Sequence, residues 1–117
     1  MRKIDWDNTN LRPKTRALLQ TIAQSEQADF VEAIVLFGSE ARGTANIASD
    51  IDIAVISTRP LTLREKLSVY GNVPQTLMCE VDARTVALRK TDLETEHVLN
   101  VAYSIQREGL VIYENVS

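Results

Sequence analysis

The chain has 117 residues, a length that predicts a single domain over residues 1–117, with one hydrophobic core and no separate substrate domain. Its 13 lysine and arginine residues against 16 aspartate and glutamate residues give a net charge of −3 with neither sign in a block, so we expect no direct binding of nucleic acid. The single cysteine, without zinc-ligand spacing, and the lack of a signal peptide or spanning apolar run predict a cytoplasmic protein with no membrane segment.

The first half of the chain combines one helical pattern with two short apolar runs. Residues 12–27 open with Pro13 and repeat apolar side chains at helical spacing, which predicts an amphipathic helix. The β-branched runs at 31–37 and 50–57 predict two buried strands. Segment 38–49 connects them.

The second half begins with another helical pattern. Residues 61–71 place leucines at helical spacing and stop at Gly71, which predicts a second helix. Residues 76–88 alternate apolar and polar side chains, which predicts a strand. Glu80 and Asp82 then share one face of that strand.

The C-terminal region predicts one more helix and strand. Residues 91–109 have a helical apolar stripe, with Thr91 or Asp92 as the N-cap, and His97 on this helix is expected to be a solvated surface residue. Residues 110–114 predict a short closing strand. The resulting fold class is α/β or α+β, a small mixed β-sheet covered by helices.

Two carboxylates stand at the start of the second apolar run. Asp50 and Asp52 are two positions apart on a strand, so both side chains point to one face, about 7 Å apart at their Cα atoms. Two ionised carboxylates in an apolar strand are unfavourable unless they reach solvent or hold a cation. Mg²⁺ is commonly held by one or two carboxylates and substrate phosphates, so the pair predicts a Mg²⁺ site, with Asp82 or Glu80 as a third carboxylate.

The turn before the connecting segment supplies groups that suit phosphates. Gly38 permits close backbone approach, the Ser39 hydroxyl can bond a phosphate oxygen, and residues 39–42 present free N–H groups if they start a helix. Arg42 can add charge-assisted hydrogen bonds. A nucleotide triphosphate and a metal ion would therefore share one local unit.

The stretch "GSEARGTANIASDID", residues 38–52, resembles the signature of the nucleotidyltransferase superfamily related to DNA polymerase beta. It is similar more narrowly to the minimal nucleotidyltransferases, many of which are antitoxins paired with HEPN-domain toxins. The resemblance covers about Val31 to Asp82. It implies the polymerase beta-like nucleotidyltransferase fold.

The resemblance also implies residue roles. Gly38 and Ser39 would bind the triphosphate of ATP, and Arg42 and Ser49 are assigned with them to nucleotide binding. Asp50, Asp52 and Asp82 would be the catalytic, Mg²⁺-binding residues, with Asp82 in "EVDA" matching the third acidic position. Glu40 departs from the family pattern, in which a basic residue often follows Gly-Ser; an acidic residue there suits a helix N-terminus.

In the antitoxin branch, the resemblance implies transfer of AMP from ATP to a tyrosine of the partner HEPN ribonuclease, which is thereby silenced. Two alternatives stay open at this point. The chain would neutralise its partner mainly by binding, with a weak nucleotide site, or it would modify a small molecule of the aminoglycoside type.

Overall fold

The computed structural model describes residues 1–94 and 101–116, and in this part of the chain five strands form one mixed sheet. The strands are β1 (Arg2–Lys3), β2 (Val31–Phe37), β3 (Ile51–Ser57), β4 (Ala83–Arg89) and β5 (Leu110–Glu114). They lie in the order β1-β5-β2-β3-β4. β2 runs antiparallel to both β5 and β3, whereas β1 is parallel to β5 and β4 is parallel to β3.

Helices cover both faces of the sheet, as the sequence predicts. They are α1 (Pro13–Gln24), α2 (Ser39–Arg42), α3 (Leu63–Leu67), α4 (Gln75–Met78) and α5 (Val101–Glu108), with 3₁₀ turns at Ser68–Tyr70 and Lys90–Glu94. Among the described residues, no helix combines the length and apolar character that crossing a bilayer requires.

The core has two parts, one on each face of the sheet. On the first face, α1 buries an apolar stripe fully against β2 and β3; the stripe consists of Leu18, Leu19 and Ile22. On the second face, Ala102 and Ile105 of α5 pack against alternate residues of the same strands, which are Val35, Phe37, Ala54 and Ile56. Because β2 and β3 are buried on both faces, their sequences read as continuous apolar runs.

The strand pairing brings three chain segments together at one end of the sheet. In the β2–β3 pair, Phe37 lies opposite Asp52, so the end of β2 adjoins the start of β3. In the β3–β4 pair, Asp52 lies opposite Arg84, and the Ile51 amide donates to the Asp82 carbonyl at 2.8 Å. The residues just before β3 and β4 therefore meet those just after β2.

The prediction of a strand over 76–88 is wrong in its first half. Residues Gln75–Met78 form α4, and the strand begins only at Ala83. Pro74 starts the helical turn, and its carbonyl accepts hydrogen bonds from the amides of Leu77 and Met78. These two adjacent side chains both pack against the same core cluster, which an alternating strand would not allow.

The other predicted elements are present with small shifts of their ends. The helix predicted at 61–71 is divided into α3 and a 3₁₀ turn, and Leu63 and Leu67 are exposed while Val69 and Tyr70 are buried. The helix predicted at 91–109 is confirmed over Val101–Glu108, whereas Asp92 lies inside a 3₁₀ turn. Residues 95–100, including His97, lie outside the described residues.

Candidate functional site

The Gly38–Ser39 turn is the first part of the candidate site. Gly38 follows β2 with φ 78° and ψ −155°, a conformation that residues with a side chain rarely adopt, and Ser39 begins α2. The amide of Arg42 donates to the Gly38 carbonyl at 3.1 Å, and the amide of Thr44 donates to the Ser39 carbonyl at 2.9 Å. Residues 39–42 are thus helical, as the phosphate-binding interpretation supposed.

Gly38 lies directly against the Asp52 carboxylate. A Cβ atom added to Gly38 would collide with an Oδ atom of Asp52, so backbone conformation and space both require glycine. The Gly38–Ser39 turn and the acidic strand are separate motifs in the sequence, but they are in direct contact in the structure.

Asp50, Asp52 and Asp82, here called the carboxylate cluster, lie at the same end of the sheet. Asp50 immediately precedes β3, and its carboxylate lies close enough to that of Asp82 to raise the pKa of Asp82. Arg84 approaches two members of the cluster, with 3.8 Å from Nη1 to Asp50 Oδ2 and 3.9 Å from Nε to Asp52 Oδ1. One exposed cation therefore faces both residues of the Asp-x-Asp motif.

The surroundings of the carboxylate cluster raise the pKa values of two of its members. Burial raises the pKa of Asp52 above its ordinary value, and the charge of Asp50 adds to this effect, while Arg84 and Arg42 lower the pKa. The hydrogen-bonding contact and charge of Asp50 raise the pKa of Asp82, which Arg84 partly offsets. Both pKa values stay raised although Arg84 lies nearby.

Glu80 pairs with a cation outside this cluster. Its carboxylate forms an ion pair with Lys14 at 3.4 Å, with both side chains more than half exposed. Since β4 starts at Ala83, Glu80 and Asp82 both precede the strand and do not share a strand face. Of the two candidates for a third carboxylate, Asp82 is the one that lies beside Asp50.

The two remaining predicted residues lie around the cluster. Arg42 forms an ion pair with Glu108 of α5 at 2.9 Å and is close enough to Asp52 to lower its pKa. The Ser49 hydroxyl accepts a hydrogen bond from the Asn46 amide at 3.0 Å. Ser49 therefore shapes the loop that leads into Asp50.

Sequence reasoning missed Arg12, which contacts three points of the site. Its guanidinium donates to the Glu40 carboxylate through Nε, to the Asn46 carbonyl at 2.6 Å and to the Ser49 carbonyl at 2.9 Å. We call this set of bonds the Arg12 clamp. It holds the loop before Asp50 against the start of α1.

Glu40 lies within the clamp and not towards the Gly38–Ser39 turn. Its side chain is 1% exposed, and Oε1 also accepts from the Thr15 hydroxyl at 2.8 Å, while Oε2 has no partner among the described residues. The sequence did carry one signal for the contact with Arg12. Glu40 is acidic at a position where the family often has a basic residue. The partner of Glu40, Arg12, lies 28 positions away in the sequence, and no local pattern links the two residues.

The donor set fits a hard divalent cation that also binds substrate oxygens. Among residues 1–94 and 101–116, no group of three or more acidic, histidine or cysteine side chains is arranged to hold a metal ion. Asp50 and Asp52 nevertheless present adjacent carboxylates that share one cation, Arg84. Mg²⁺ is commonly held by one or two carboxylates together with substrate phosphates and water, which is what this pair offers.

Comparison with known proteins places this geometry in context. The family model described as polymerase beta, nucleotidyltransferase matches residues 19–116. A crystal structure of a toxin-antitoxin with AMP-PNP is 22% identical, with a TM-score of 0.54 over 88% of this chain and 73% of that chain. A candidate nucleotidyltransferase from Sulfolobus solfataricus is 14% identical, with a TM-score of 0.52 over 87% of this chain and 85% of that chain. No curated protein matches the sequence.

Replacing Gly38 tests its contact with Asp52. Gly38→Ala is expected to lower the free energy of unfolding by at least about 2 kcal/mol, because the backbone conformation and the collision both oppose a methyl group. Gly43→Ala is the control, since Gly43 has a similar φ of 75° but open space around it, and about 1 kcal/mol is expected. Urea unfolding measures the free energy of both variants. Equal losses would show that the Asp52 contact is unimportant. The double variant Gly38→Ala/Asp52→Ala should recover part of the loss caused by Gly38→Ala.

The raised pKa of Asp52 predicts a pH-dependent gain from Asp52→Asn. A raised folded-state pKa means that ionised Asp52 lowers stability above that pKa, and that this penalty disappears as pH falls towards the ordinary value of 3.8. The variant should have a higher Tm than wild type near pH 7 and an unchanged Tm near pH 3. Arg84→Ala should have the opposite sign near pH 7. A lower Tm for Asp52→Asn at neutral pH would contradict this account.

The Arg12 clamp predicts coupling between Arg12 and Glu40. Arg12→Ala should lower the free energy of unfolding by about 2–3 kcal/mol, because it leaves the buried carboxylate with Thr15 alone. Arg16→Ala is the control; Arg16 lies in the first turn of α1, and among the described residues its side chain donates to the carbonyls of Trp6 and Thr9, so about 1 kcal/mol is expected. In a double-mutant cycle, Arg12→Ala/Glu40→Gln should lose less than the sum of its single variants. Additive losses would rule out the clamp.

Proposed function

Because the chain belongs to the polymerase beta nucleotidyltransferase family, we propose that it transfers AMP from ATP to a hydroxyl group of a partner protein, which is a toxin silenced by the modification. The observation that carries this proposal is the contact of the Gly38–Ser39 turn with Asp52, beside Asp50 and Asp82. This contact brings groups that can bind phosphates next to carboxylates that can bind a metal ion and accept a proton.

The nature of the partner is the more specific part of the proposal. A toxin-antitoxin structure with the nucleotide analogue AMP-PNP has this fold at 22% identity, which supports a toxin as the partner. The resemblance of "GSEARG" and "SDIDIAV" to antitoxins of the minimal nucleotidyltransferase type makes a HEPN ribonuclease the proposed toxin and one of its tyrosines the acceptor.

Each residue of the site has a role in this reaction. The Gly38 backbone and the Ser39 hydroxyl bind phosphate oxygens, and Arg42, close to Asp52 and half exposed, adds positive charge on the same side. Ser49 and the Arg12 clamp hold the loop that positions Asp50. Asp82, the exposed member of the carboxylate cluster, accepts the proton of the attacking hydroxyl.

The transfer balances in atoms and electrons. The acceptor oxygen forms a bond to the α-phosphorus of ATP, and its proton passes to the Asp82 carboxylate. The bond from the α-phosphorus to the oxygen that bridges to the β-phosphate breaks, and its electron pair leaves with pyrophosphate. The products are the AMP-modified partner and pyrophosphate.

Asp50 and Asp52 would hold Mg²⁺, with Asp82 beside them. When bound, Mg²⁺ neutralises charge on the phosphate oxygens. Burial raises the pKa of Asp52, contact with Asp50 raises the pKa of Asp82, and Arg84 offsets only part of each increase. The residues thus have the electrostatics expected of a cation site.

Transfer to the partner tests the proposal. The wild-type chain should move label from α-labelled ATP, in the presence of Mg²⁺, onto the HEPN-type protein encoded by the neighbouring gene. Asp50→Asn/Asp52→Asn should reduce labelling by at least about a thousandfold, because it removes the carboxylates that would hold the charge-neutralising Mg²⁺. Asp7→Asn/Asp29→Asn changes the net charge equally at two exposed positions outside the site and should label normally.

The same assay separates the alternatives. If the Asp50→Asn/Asp52→Asn variant labels the partner as fast as wild type, the proposed mechanism is wrong. If no label is transferred but the variant still inhibits the toxin at equimolar amounts without ATP, neutralisation occurs by binding. Drug resistance in cells that express this chain alone would instead indicate a small-molecule acceptor.

A further inference from the structure

A cavity of about 670 Å³ opens beside Asp50 and Asp82, on a side of the carboxylate cluster other than the Gly38–Ser39 turn. Its walls are the start of α1, residues 46–51 and residues 80–82. Gly38, Ser39 and Asp52 do not line it. The cavity therefore reaches the cluster separately from the groups that suit phosphates.

The charges that line this cavity disfavour a triphosphate. Its two cations are already paired, Arg12 with Glu40 and Lys14 with Glu80. Its three carboxylates are Asp50, Glu80 and Asp82. A neutral hydroxyl group suits this cavity better than a polyphosphate, which carries the same sign of charge as the cluster.

The walls are also largely apolar, which favours a large amphipathic group. Pro13, Ile47, Ala48, Ile51 and Val81 contribute apolar surface, and the Lys14–Glu80 ion pair joins α1 to the residues before β4. Pockets of this size and composition bind mostly apolar ligand groups, and a few polar side chains set the orientation of the ligand. An aromatic ring with a hydroxyl group has this character.

Ile47 is fully exposed at the edge of the cavity. One exposed aliphatic side chain is ordinary, but the loop that carries this one is held in place by several bonds. The carbonyls of Asn46 and Ser49 accept from Arg12, the Ala48 amide donates to Asn46 Oδ1 at 2.9 Å, and the Ser49 amide donates to the Asn46 carbonyl at 3.0 Å. A partner that contacts Ile47 would have little loop disorder to remove on binding.

We propose that this cavity, with Ile47 at its edge, receives the acceptor tyrosine of the partner protein on a segment with neutral or basic flanking residues. The inference rests on the proposed function and specifies where its protein substrate binds. In this position the phenolic oxygen faces Asp82 and Asp50, and the flanking residues cover Ile47 and meet the negative charge of the cavity. ATP approaches from the Gly38–Ser39 side.

Site-directed alkylation tests the binding site without relying on catalysis. In a Cys79→Ser background, which removes the exposed native thiol, Ile47→Cys is treated with a maleimide in the presence or absence of the purified HEPN-type partner. The partner should slow alkylation at position 47 by at least about tenfold. Leu63→Cys is the control, because Leu63 is 66% exposed on α3 and does not line the cavity. Equal rates at position 47 with and without the partner would overturn the inference.

Ile47→Asp, matched with Leu63→Asp, provides the second readout. Ile47→Asp should raise the KM for the partner by about tenfold and leave the Kd for Mg²⁺-ATP within about twofold of wild type, whereas Leu63→Asp should change neither. Loss of ATP affinity by Ile47→Asp as large as the change in KM would place the loop in the nucleotide site and overturn the inference.

The two proposals fail in different ways. Shielding at position 47 without any AMP transfer by wild type would sustain partner binding at this cavity but refute the transferase function, and with it the role of the bound tyrosine as acceptor. AMP transfer with no shielding and an unchanged KM for Ile47→Asp would sustain the function and refute the binding site.

Discussion

The approach of the Gly38 backbone to the Asp52 carboxylate is the constraint on which the candidate site depends. It requires glycine for its conformation and its lack of a side chain, and it requires the β2–β3 register that sets Phe37 opposite Asp52. A shift of that register by one residue would turn Asp52 to the other face of the sheet and bury it against α1. The apolar faces of β2 and β3 therefore fix the geometry of the polar site.

The site concentrates like charge and neutralises it only in part. Arg84 faces Asp50 and Asp52 from an exposed position. Arg42 forms an ion pair with Glu108 and is also close enough to Asp52 to lower its pKa. A fully paired cluster would be more stable but would leave no charge to hold a cation. Carboxylates with raised pKa values at one end of a rigid sheet are typical of functional sites.

The sequence predicted the local parts of this site and missed its long-range contacts. The sequence could predict that the Gly38–Ser39 turn lies beside Asp50 and Asp52, because two adjacent apolar runs with a short connection favour neighbouring strands. The Arg12–Glu40 contact could not be predicted, because hydrophobic periodicity indicates which face of an element is buried and not which residue one polar side chain contacts. The strand predicted at 76–88 began too early because a short alternating pattern also fits a helical turn. Pro74 was the signal that would have decided between the two.

The location of a bound nucleotide tests the central claim most directly. A crystal structure with Mn²⁺ and a non-hydrolysable ATP analogue would show the metal by its anomalous scattering and the phosphates by their density. We expect Mn²⁺ between Asp50 and Asp52, with the triphosphate against Gly38 and Ser39. A metal or triphosphate bound elsewhere, with the Gly38–Ser39 turn free, would contradict the account.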